Sequence, residues 1–318
     1  MMGNARSAVC TIILMSFGTA SSVEEISSFL AQVLHRTPEP ELVTDLEMRY
    51  RMIGGSPLLD IMGSLAKKLQ EALHSAEPET EFHVLLGMRH GSPSIESALA
   101  EAHALGSGRI VAIPFAPQDS PDREQYSRRI AEHEESVHGV PVDIAPAWYA
   151  ESWYLDALAE RTRPAVERMR KLGKPVRLLC TAHSLPSHLP GLHMYCDELA
   201  ETADGVAERV GLSETQWALA FQSVPKGTSR PWLGPDLYGE ICECAAHGDN
   251  VVIVPVQFLT DHLEVLYDID VLAFEKAKSC RIAIERVPTL NDSPDFVEGL
   301  STMTRAILER EPSLPTVG

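Results

Sequence analysis

Short apolar runs alternate with amphipathic stretches along the first half of the chain. The apolar runs lie at 9–17, 82–88, 109–113 and 142–145, and helical patterns lie at 23–34, 57–73, 94–105 and 123–135. Apolar runs of this length predict buried strands, and spacing of 3.6 residues predicts helices. Regular alternation of the two predicts a parallel sheet with helices on its faces.

The second half repeats this pattern. Strands are predicted at 176–180, 216–221, 251–256 and 281–284, and helices near 197–210, 237–246 and 294–308. A chain of 318 residues is long enough for two domains of ordinary size. We therefore predict an α/β protein of two Rossmann-like domains, residues 1–155 and 156–318, whose parallel sheets face a common cleft. Irregular connections are predicted at 38–40 and 231–235.

The N-terminal apolar run has two interpretations. Arg6 precedes Ala8–Met15, and small residues follow at 18–22, as in a secretory signal. The run is short and β-branched, and a helical pattern follows it at once, which favours a first strand. No other apolar run approaches the roughly 20 residues needed to span a bilayer. We expect a cytoplasmic protein without stable membrane insertion.

Composition narrows the function. With 27 basic and 45 acidic residues the net charge is −18, so nucleic acid is not an expected partner. Its six cysteines form no CxxC pair, which predicts reduced thiols. No Walker pattern, GxGxxG after the first strand or GxSxG elbow is present, which argues against nucleotide-driven or serine-hydrolase chemistry.

Two polar segments, 181–186 and 257–268, follow predicted strands. Ligands bind at the carboxyl ends of strands in open parallel sheets. His183 and Glu264 would meet there as an acid/base pair or as part of a metal site, although a histidine at a strand end is often only structural. His90 occupies the equivalent position in the first half.

Glu264 and Asp268 are four residues apart and would share one face of a helix. Carboxylate oxygens in a row suit divalent cations. Acids at this spacing are, however, more often simply solvated on an exposed helix. The spacing alone does not decide between the two.

Taken together, these residues resemble the ferrochelatases, which insert ferrous iron into a porphyrin, and most closely the coproporphyrin III ferrochelatases of Gram-positive bacteria. The matching segments are 14–19, 38–41, 49–58, 182–186, 221–223, 231–236 and 261–268. The resemblance implies a fold like the class II chelatases, with His183 and Glu264 as the catalytic pair. It implies metal contacts from His183, Glu264 and Asp268. It implies substrate contacts from Phe17, Arg36, Ser56, His90, Gln222, Ser223 and Trp232.

Three positions depart from the family pattern. Phe17 stands where relatives often have a tyrosine, and a phenyl ring cannot ligate iron. Leu272 stands where relatives extend the acidic row, so no outer metal site is expected. Gln257 replaces a small residue, which predicts a narrower cleft beside the catalytic helix.

The resemblance also bears on substrate and cofactor. A short, charged segment precedes Arg49 in place of an apolar lip, which favours a soluble enzyme and the four-carboxylate coproporphyrin III. We also expect a monomer, although the segment does not bear on the oligomeric state. Arg36 would meet a propionate, unless it is a plain surface arginine. No cofactor is expected: Fe²⁺ is a substrate, and the C-terminus lacks cysteines for a [2Fe-2S] cluster. A protoporphyrin IX ferrochelatase, a chelatase of another divalent metal and a non-catalytic tetrapyrrole-binding protein remain open.

Overall fold

The computed structural model describes residues 8–137, 140–225 and 228–311. In the first half the strands are β1 (Ala8–Ser16), β2 (Thr80–Met88), β3 (Arg109–Pro114) and β4 (Val142–Ile144). The helices are α1 (Ile26–Leu34, after a 3₁₀ turn at Val23–Glu25), α2 (Pro40–Ile53), α3 (Leu58–Ala76), α4 (Ile95–Ala104) and α5 (Pro121–Val137). The apolar N-terminal run is therefore a strand, as predicted.

In the second half the strands are β5 (Val176–His183), β6 (Trp217–Gln222), β7 (Asn250–Pro255) and β8 (Ile284–Arg286). The helices are α6 (Ser152–Arg170), α7 (Leu192–Arg209), α8 (Leu237–His247), α9 (Phe274–Cys280) and α10 (Pro294–Leu308). A 3₁₀ turn lies at Glu214–Gln216, and a π-helix at Glu264–Ala273 runs directly into α9.

Each half contains a four-stranded sheet in which every pairing is parallel. The strand orders are β2-β1-β3-β4 and β6-β5-β7-β8. In both sheets the first strand in the chain lies inside, with later strands on either side, so the order reverses next to β1 and β5. Ligands bind at such switch points, outside the carboxyl ends of the strands. The predicted α/β fold of two parallel, helix-flanked sheets is confirmed.

Contacts near the C-terminus join the two halves. Helix α10 packs against α3 and α6. Arg109, at the start of β3, donates to the carbonyls of Ile307 and Leu308 at 3.0 and 2.6 Å and so caps the end of α10. Leu14, Trp148, Leu178 and Phe296 belong to one hydrophobic cluster that spans both sheets. The predicted domain boundary at 155/156 falls inside α6 and stays a prediction.

Helix α2 was not predicted, because its sequence carries a weak signal. Pro40 occupies its first turn, where proline is well tolerated, rather than a loop. Of its 14 residues only Tyr50 is buried, so the helical period of apolar residues is faint. Strand β8 begins three residues later than predicted, since Arg281 adopts a left-handed conformation (φ 56°) that ends α9.

The prediction of reduced thiols is wrong for one pair of cysteines. Cys242 on α8 and Cys280 at the end of α9 form a disulfide, with a Cα–Cα distance of 5.8 Å. Their 38-residue separation contains no motif from which the pairing could be inferred. Cys10, Cys180, Cys196 and Cys244 are not disulfide-bonded.

Candidate active site

His183 is the last residue of β5, at the carboxyl edge of the second sheet. Its backbone N–H donates to Gln257 Oε1 at 2.8 Å, and its carbonyl accepts from the Tyr195 hydroxyl at 3.1 Å. Imidazole Nδ1 lies within hydrogen-bond distance of the Ser184 carbonyl. A carbonyl only accepts, so Nδ1 carries the proton of the neutral ring and Nε2 keeps a lone pair. His183 is therefore oriented as a base at Nε2.

Glu264 lies between two imidazoles. It begins the π-helix, and its Oε1 is 3.5 Å from His183 Nε2 while its Oε2 is 3.6 Å from His262 Nε2. His262 Nδ1 is 2.8 Å from the Thr260 carbonyl, which fixes its tautomer in the same way. The structure thus brings together the two side chains that the sequence paired.

The electrostatics of the pair favour an ionised carboxylate. Burial raises the pKa of Glu264, but when His183 and His262 are protonated, their charges and Nε2–H hydrogen bonds outweigh burial and hold that pKa well below its usual range. Glu264 is therefore ionised whenever a neighbouring imidazole carries a second proton. It can stabilise an imidazolium at His183 or a cation that arrives beside it.

Asp268 lies four residues after Glu264 on the π-helix and is almost completely buried. It accepts a hydrogen bond from the Ser223 hydroxyl, and an Arg49 guanidinium nitrogen lies 4.0 Å from Oδ1. Burial raises the pKa of Asp268 to about 6; the Ser223 hydrogen bond opposes this rise, and the charge on Glu264 adds to it. Ionised Asp268 therefore costs the folded state stability near neutral pH.

Replacing Asp268 with asparagine is expected to stabilise the metal-free protein at pH 8. Raising a carboxyl pKa from 3.8 to about 6 corresponds to a cost of roughly 3 kcal/mol once the group is ionised. The folded-state pKa is the higher one, so this cost is absent below about pH 4, grows between pH 4 and 6, and is complete above pH 6. Urea unfolding of Asp268→Asn should show a gain of about 1–3 kcal/mol at pH 8 that disappears at pH 4.

Asp270 offers a matched control on the same helix. Its carboxylate forms two hydrogen bonds with Arg286, at 2.6 and 2.9 Å. Asp270→Asn should therefore destabilise the protein at pH 8, opposite in sign to Asp268→Asn. A loss of stability in Asp268→Asn at pH 8 would contradict the account of Asp268.

A second group of predicted residues lies at the end of β1. The Phe17 ring is about two-fifths exposed and lies 4.8 Å from the buried His90 ring, measured between centroids. Phe29 contacts Phe17 edge-on at 6.5 Å, and the Arg89 guanidinium lies over the Phe17 ring at 5.5 Å. This aromatic surface offers an apolar face flanked by a positive charge, which suits a flat, anionic ligand.

The other predicted contacts are held by neighbouring residues. Gln222 is fully buried and donates to the Glu264 carbonyl at 2.8 Å, so it supports the carboxylate through the backbone. Trp232 donates to Thr228 Oγ1 at 3.2 Å. Arg36 pairs with Glu39 at 3.2 Å on the exposed connection after α1.

Ser56 lies in the turn before α3, with its hydroxyl buried and without a hydrogen-bond partner among the described residues. His183, Glu264, Asp268, Gln222 and Ser223 form one connected group. The structure places Phe17 and His90 together in a second group. The roles of all these residues toward a substrate stay predictions.

Three residues of this region were not predicted. His262 contacts the second oxygen of Glu264, Arg49 approaches Asp268 from α2, and Tyr195 holds the His183 carbonyl. His262 lies in the same motif as Glu264, and adjacency in that motif was the available signal. Arg49 and Tyr195 reach the site through tertiary packing of α2 and α7, which no local pattern reveals.

Comparison with known proteins decides the family. A sequence model described as Ferrochelatase matches residues 10–308. The chain belongs to the ferrochelatase family. A ferrochelatase of Herpetosiphon aurantiacus is 33% identical over 304 residues, covering 93% of this chain and 98% of that protein. A coproporphyrin III ferrochelatase of Anoxybacillus flavithermus is 33% identical over 312 residues, covering 95% and 98%.

Solved structures agree on the fold. The sirohydrochlorin chelatase SirB of Bacillus subtilis subspecies spizizenii superposes with a TM-score of 0.56, covering 95% of this chain and 96% of that one. Sequence identity is only 8%, so this likeness concerns the fold alone. As a ferrochelatase, the chain is an enzyme that inserts iron into a porphyrin in heme biosynthesis.

Iron is a substrate of a ferrochelatase. Within the described parts of the chain, no group of three or more His, Cys, Asp or Glu side chains is arranged to hold a metal ion. His183 and Glu264 form a pair. Asp268 accepts a hydrogen bond from Ser223 and lies 4.0 Å from Arg49. No helix in the described ranges has both the length and the apolar character needed to cross a bilayer.

Proposed function

We propose that this ferrochelatase inserts Fe²⁺ into coproporphyrin III, with His183 and Glu264 as its catalytic pair. The observation that carries the proposal is the 3.5 Å contact between His183 Nε2 and Glu264 Oε1, at the switch point of the second sheet. An oriented base and a carboxylate that stabilises its protonated form are what the reaction needs. The relative from Anoxybacillus flavithermus, named for coproporphyrin III, supports the choice of substrate.

Metal insertion exchanges one Fe²⁺ ion for the two pyrrole N–H protons of the porphyrin. Fe²⁺ binds the four pyrrole nitrogens while both N–H groups lose their protons. His183 Nε2, with its lone pair free in the neutral ring, accepts a pyrrole proton. The imidazolium that forms is stabilised by the adjacent Glu264 carboxylate, whose pKa it lowers. The proton then passes to solvent, and His183 is ready for the second.

Two arginines near the candidate site are proposed partners for the substrate carboxylates. Arg89 lies over the Phe17 ring, and Arg49 pairs with Asp45 at 2.6 Å and lies over the Tyr267 ring at 5.1 Å. Guanidinium groups bind carboxylates through two parallel hydrogen bonds, and coproporphyrin III carries four propionates. Helix α2, which supplies Arg49, also presents Arg51 and Glu47 as an exposed ion pair.

Finer properties belong to the same proposal. We expect the enzyme to work in the cytoplasm as a monomer, with no cofactor beyond its iron substrate. Size-exclusion chromatography and metal analysis of the purified protein test the second and third of these expectations.

The substrate proposal predicts a clear preference between two porphyrins. Under anaerobic conditions with Fe²⁺, kcat/KM for coproporphyrin III should exceed that for protoporphyrin IX by about tenfold or more, because two additional propionates find charged partners. Loss of the free-porphyrin absorption bands reports the rate for each. Faster turnover of protoporphyrin IX would overturn the choice of substrate, and binding of both without turnover would overturn the catalytic role.

A further inference from the structure

The hydrogen-bond ladder between β5 and β7 stops one step before His183. The Val256 N–H donates to the Thr181 carbonyl at 3.1 Å, as a parallel ladder requires. The next bond of that ladder would run from the His183 N–H to the Val256 carbonyl. The Val256 carbonyl instead accepts from the Tyr154 hydroxyl at 2.7 Å and from the Gln118 amide at 3.1 Å. The Val256 carbonyl therefore does not accept the hydrogen bond of the His183 N–H.

A side chain takes the place of the missing carbonyl. Gln257 Oε1 accepts the His183 N–H at 2.8 Å, and the Tyr195 hydroxyl donates to the His183 carbonyl at 3.1 Å. Both peptide groups of His183 that would have faced β7 are thus held by side chains. Main-chain ladder bonds are retained on the other side, where the Ser184 N–H donates to the Gln222 carbonyl at 2.8 Å.

Gln257 also lies on the segment that carries Glu264. That segment leaves β7 after Pro255 and reaches the π-helix at Glu264, so the Gln257 hydrogen bond joins it to the end of β5. The separation of His183 Nε2 and Glu264 Oε1 depends on how these two segments are held together. A displacement of about 1 Å at a reacting pair can reduce turnover a hundredfold.

We propose that Gln257 is a positioning residue that sets the relative placement of His183 and Glu264. It acts through the His183 backbone and does not touch the reacting atoms. The inference rests on the proposed function, because it takes His183 and Glu264 as the reacting pair. The property that matters is the acceptor oxygen of the Gln257 side chain. A side chain of the same length without that oxygen should not maintain the placement of His183 and Glu264.

Three variants separate these properties. Gln257→Met keeps the length of the side chain but offers only a weak sulfur acceptor, whereas Gln257→Glu keeps an oxygen acceptor. Gln70→Met is the matched control, since Gln70 Oε1 accepts the Val84 N–H at 3.0 Å in the first half of the chain. All three are compared with the unchanged enzyme for kcat, for KM toward coproporphyrin III and for the urea midpoint of unfolding.

We expect Gln257→Met to lower kcat about tenfold with KM changed less than about twofold, because placement of the pair is lost while substrate binding is not. Gln257→Glu should stay within about threefold of the unchanged kcat, and Gln70→Met should match it. An unchanged kcat in Gln257→Met would overturn the proposal. So would a rise in KM alone, which would make Gln257 a substrate contact, or equal losses in the Met and Glu variants.

A spectroscopic readout separates this inference from the proposed function. The imidazole ¹⁵N signals of His183 are assigned by their absence in His183→Ala. They should shift in Gln257→Met and stay in place in Gln70→Met, whether or not the protein turns over porphyrin. Unshifted signals in Gln257→Met overturn the positioning role. If the His183 and Glu264 variants all keep full activity, the proposed function is overturned instead.

Discussion

Glu264→Gln should lower kcat for iron insertion by about 100- to 10,000-fold, the range over which positioned acid/base groups act. Glutamine keeps the size of the side chain but removes the charge that faces both His183 and His262. The imidazolium formed when His183 takes a pyrrole proton would then lack its counter-charge. Anaerobic initial rates with coproporphyrin III at saturating Fe²⁺ measure the loss.

His183→Ala should have an effect of similar size, and the two substitutions should not add. Residues that act as one unit lose their contribution together, so the double variant should be little slower than either single one. Glu275→Gln, at an exposed position just beyond the π-helix, is the control and should keep full activity. Additive losses in the double variant would contradict joint action of the pair.

Gly18→Ala should destabilise the folded protein by about 2–5 kcal/mol, the sum expected for a left-handed conformation and a steric overlap. Gly18 follows β1 with φ at 99°, and a Cβ built there would lie 1.8 Å from the His90 carbonyl oxygen. The obstacle is backbone, because the His90 N–H donates to the Phe17 carbonyl at 2.9 Å and fixes the two segments together. Urea unfolding at pH 7 measures the cost.

The same substitution should disturb the Phe17 and His90 rings, which lie 4.8 Å apart on either side of this contact. The Gly18→Ala protein that remains folded should therefore show a higher KM for the porphyrin. Gly63→Ala is the control, since nothing lies within 4 Å of a Cβ built at that position of α3. That variant should gain up to about 1 kcal/mol. Equal stabilities for the Gly18 and Gly63 variants would contradict the close approach at Gly18.

The strands and most helices could be predicted because their signals are local. Buried parallel strands have continuous apolar runs, so β3 and β7 lie within one residue of their predicted bounds. Helix α10 begins and ends at the predicted residues, since Pro294 occupies its first turn and its apolar face is strongly periodic. The pairing of His183 with Glu264 followed from the rule that carboxyl ends of parallel strands meet at one edge.

Other features depend on tertiary contacts that no window of sequence contains. Helix α2 buries only Tyr50, and its role depends on the arrival of Arg49 beside Asp268. The spacing of Glu264 and Asp268 predicted an α-helix, but the segment is a π-helix, a rare form that recurs at functional sites. The His183 N–H donates to the Gln257 side chain because the Val256 carbonyl accepts from the Tyr154 hydroxyl instead.

The most direct test of iron insertion that depends on His183 is an anaerobic assay with Fe²⁺ and coproporphyrin III, in which the wild-type enzyme and His183→Ala are compared at equal concentration. Disappearance of the free-porphyrin bands and one iron gained per porphyrin measure the reaction. We expect repeated turnover by the wild-type enzyme and a loss of at least about 100-fold in His183→Ala, with the variant still folded. Turnover by His183→Ala at the wild-type rate would contradict a catalytic role for His183.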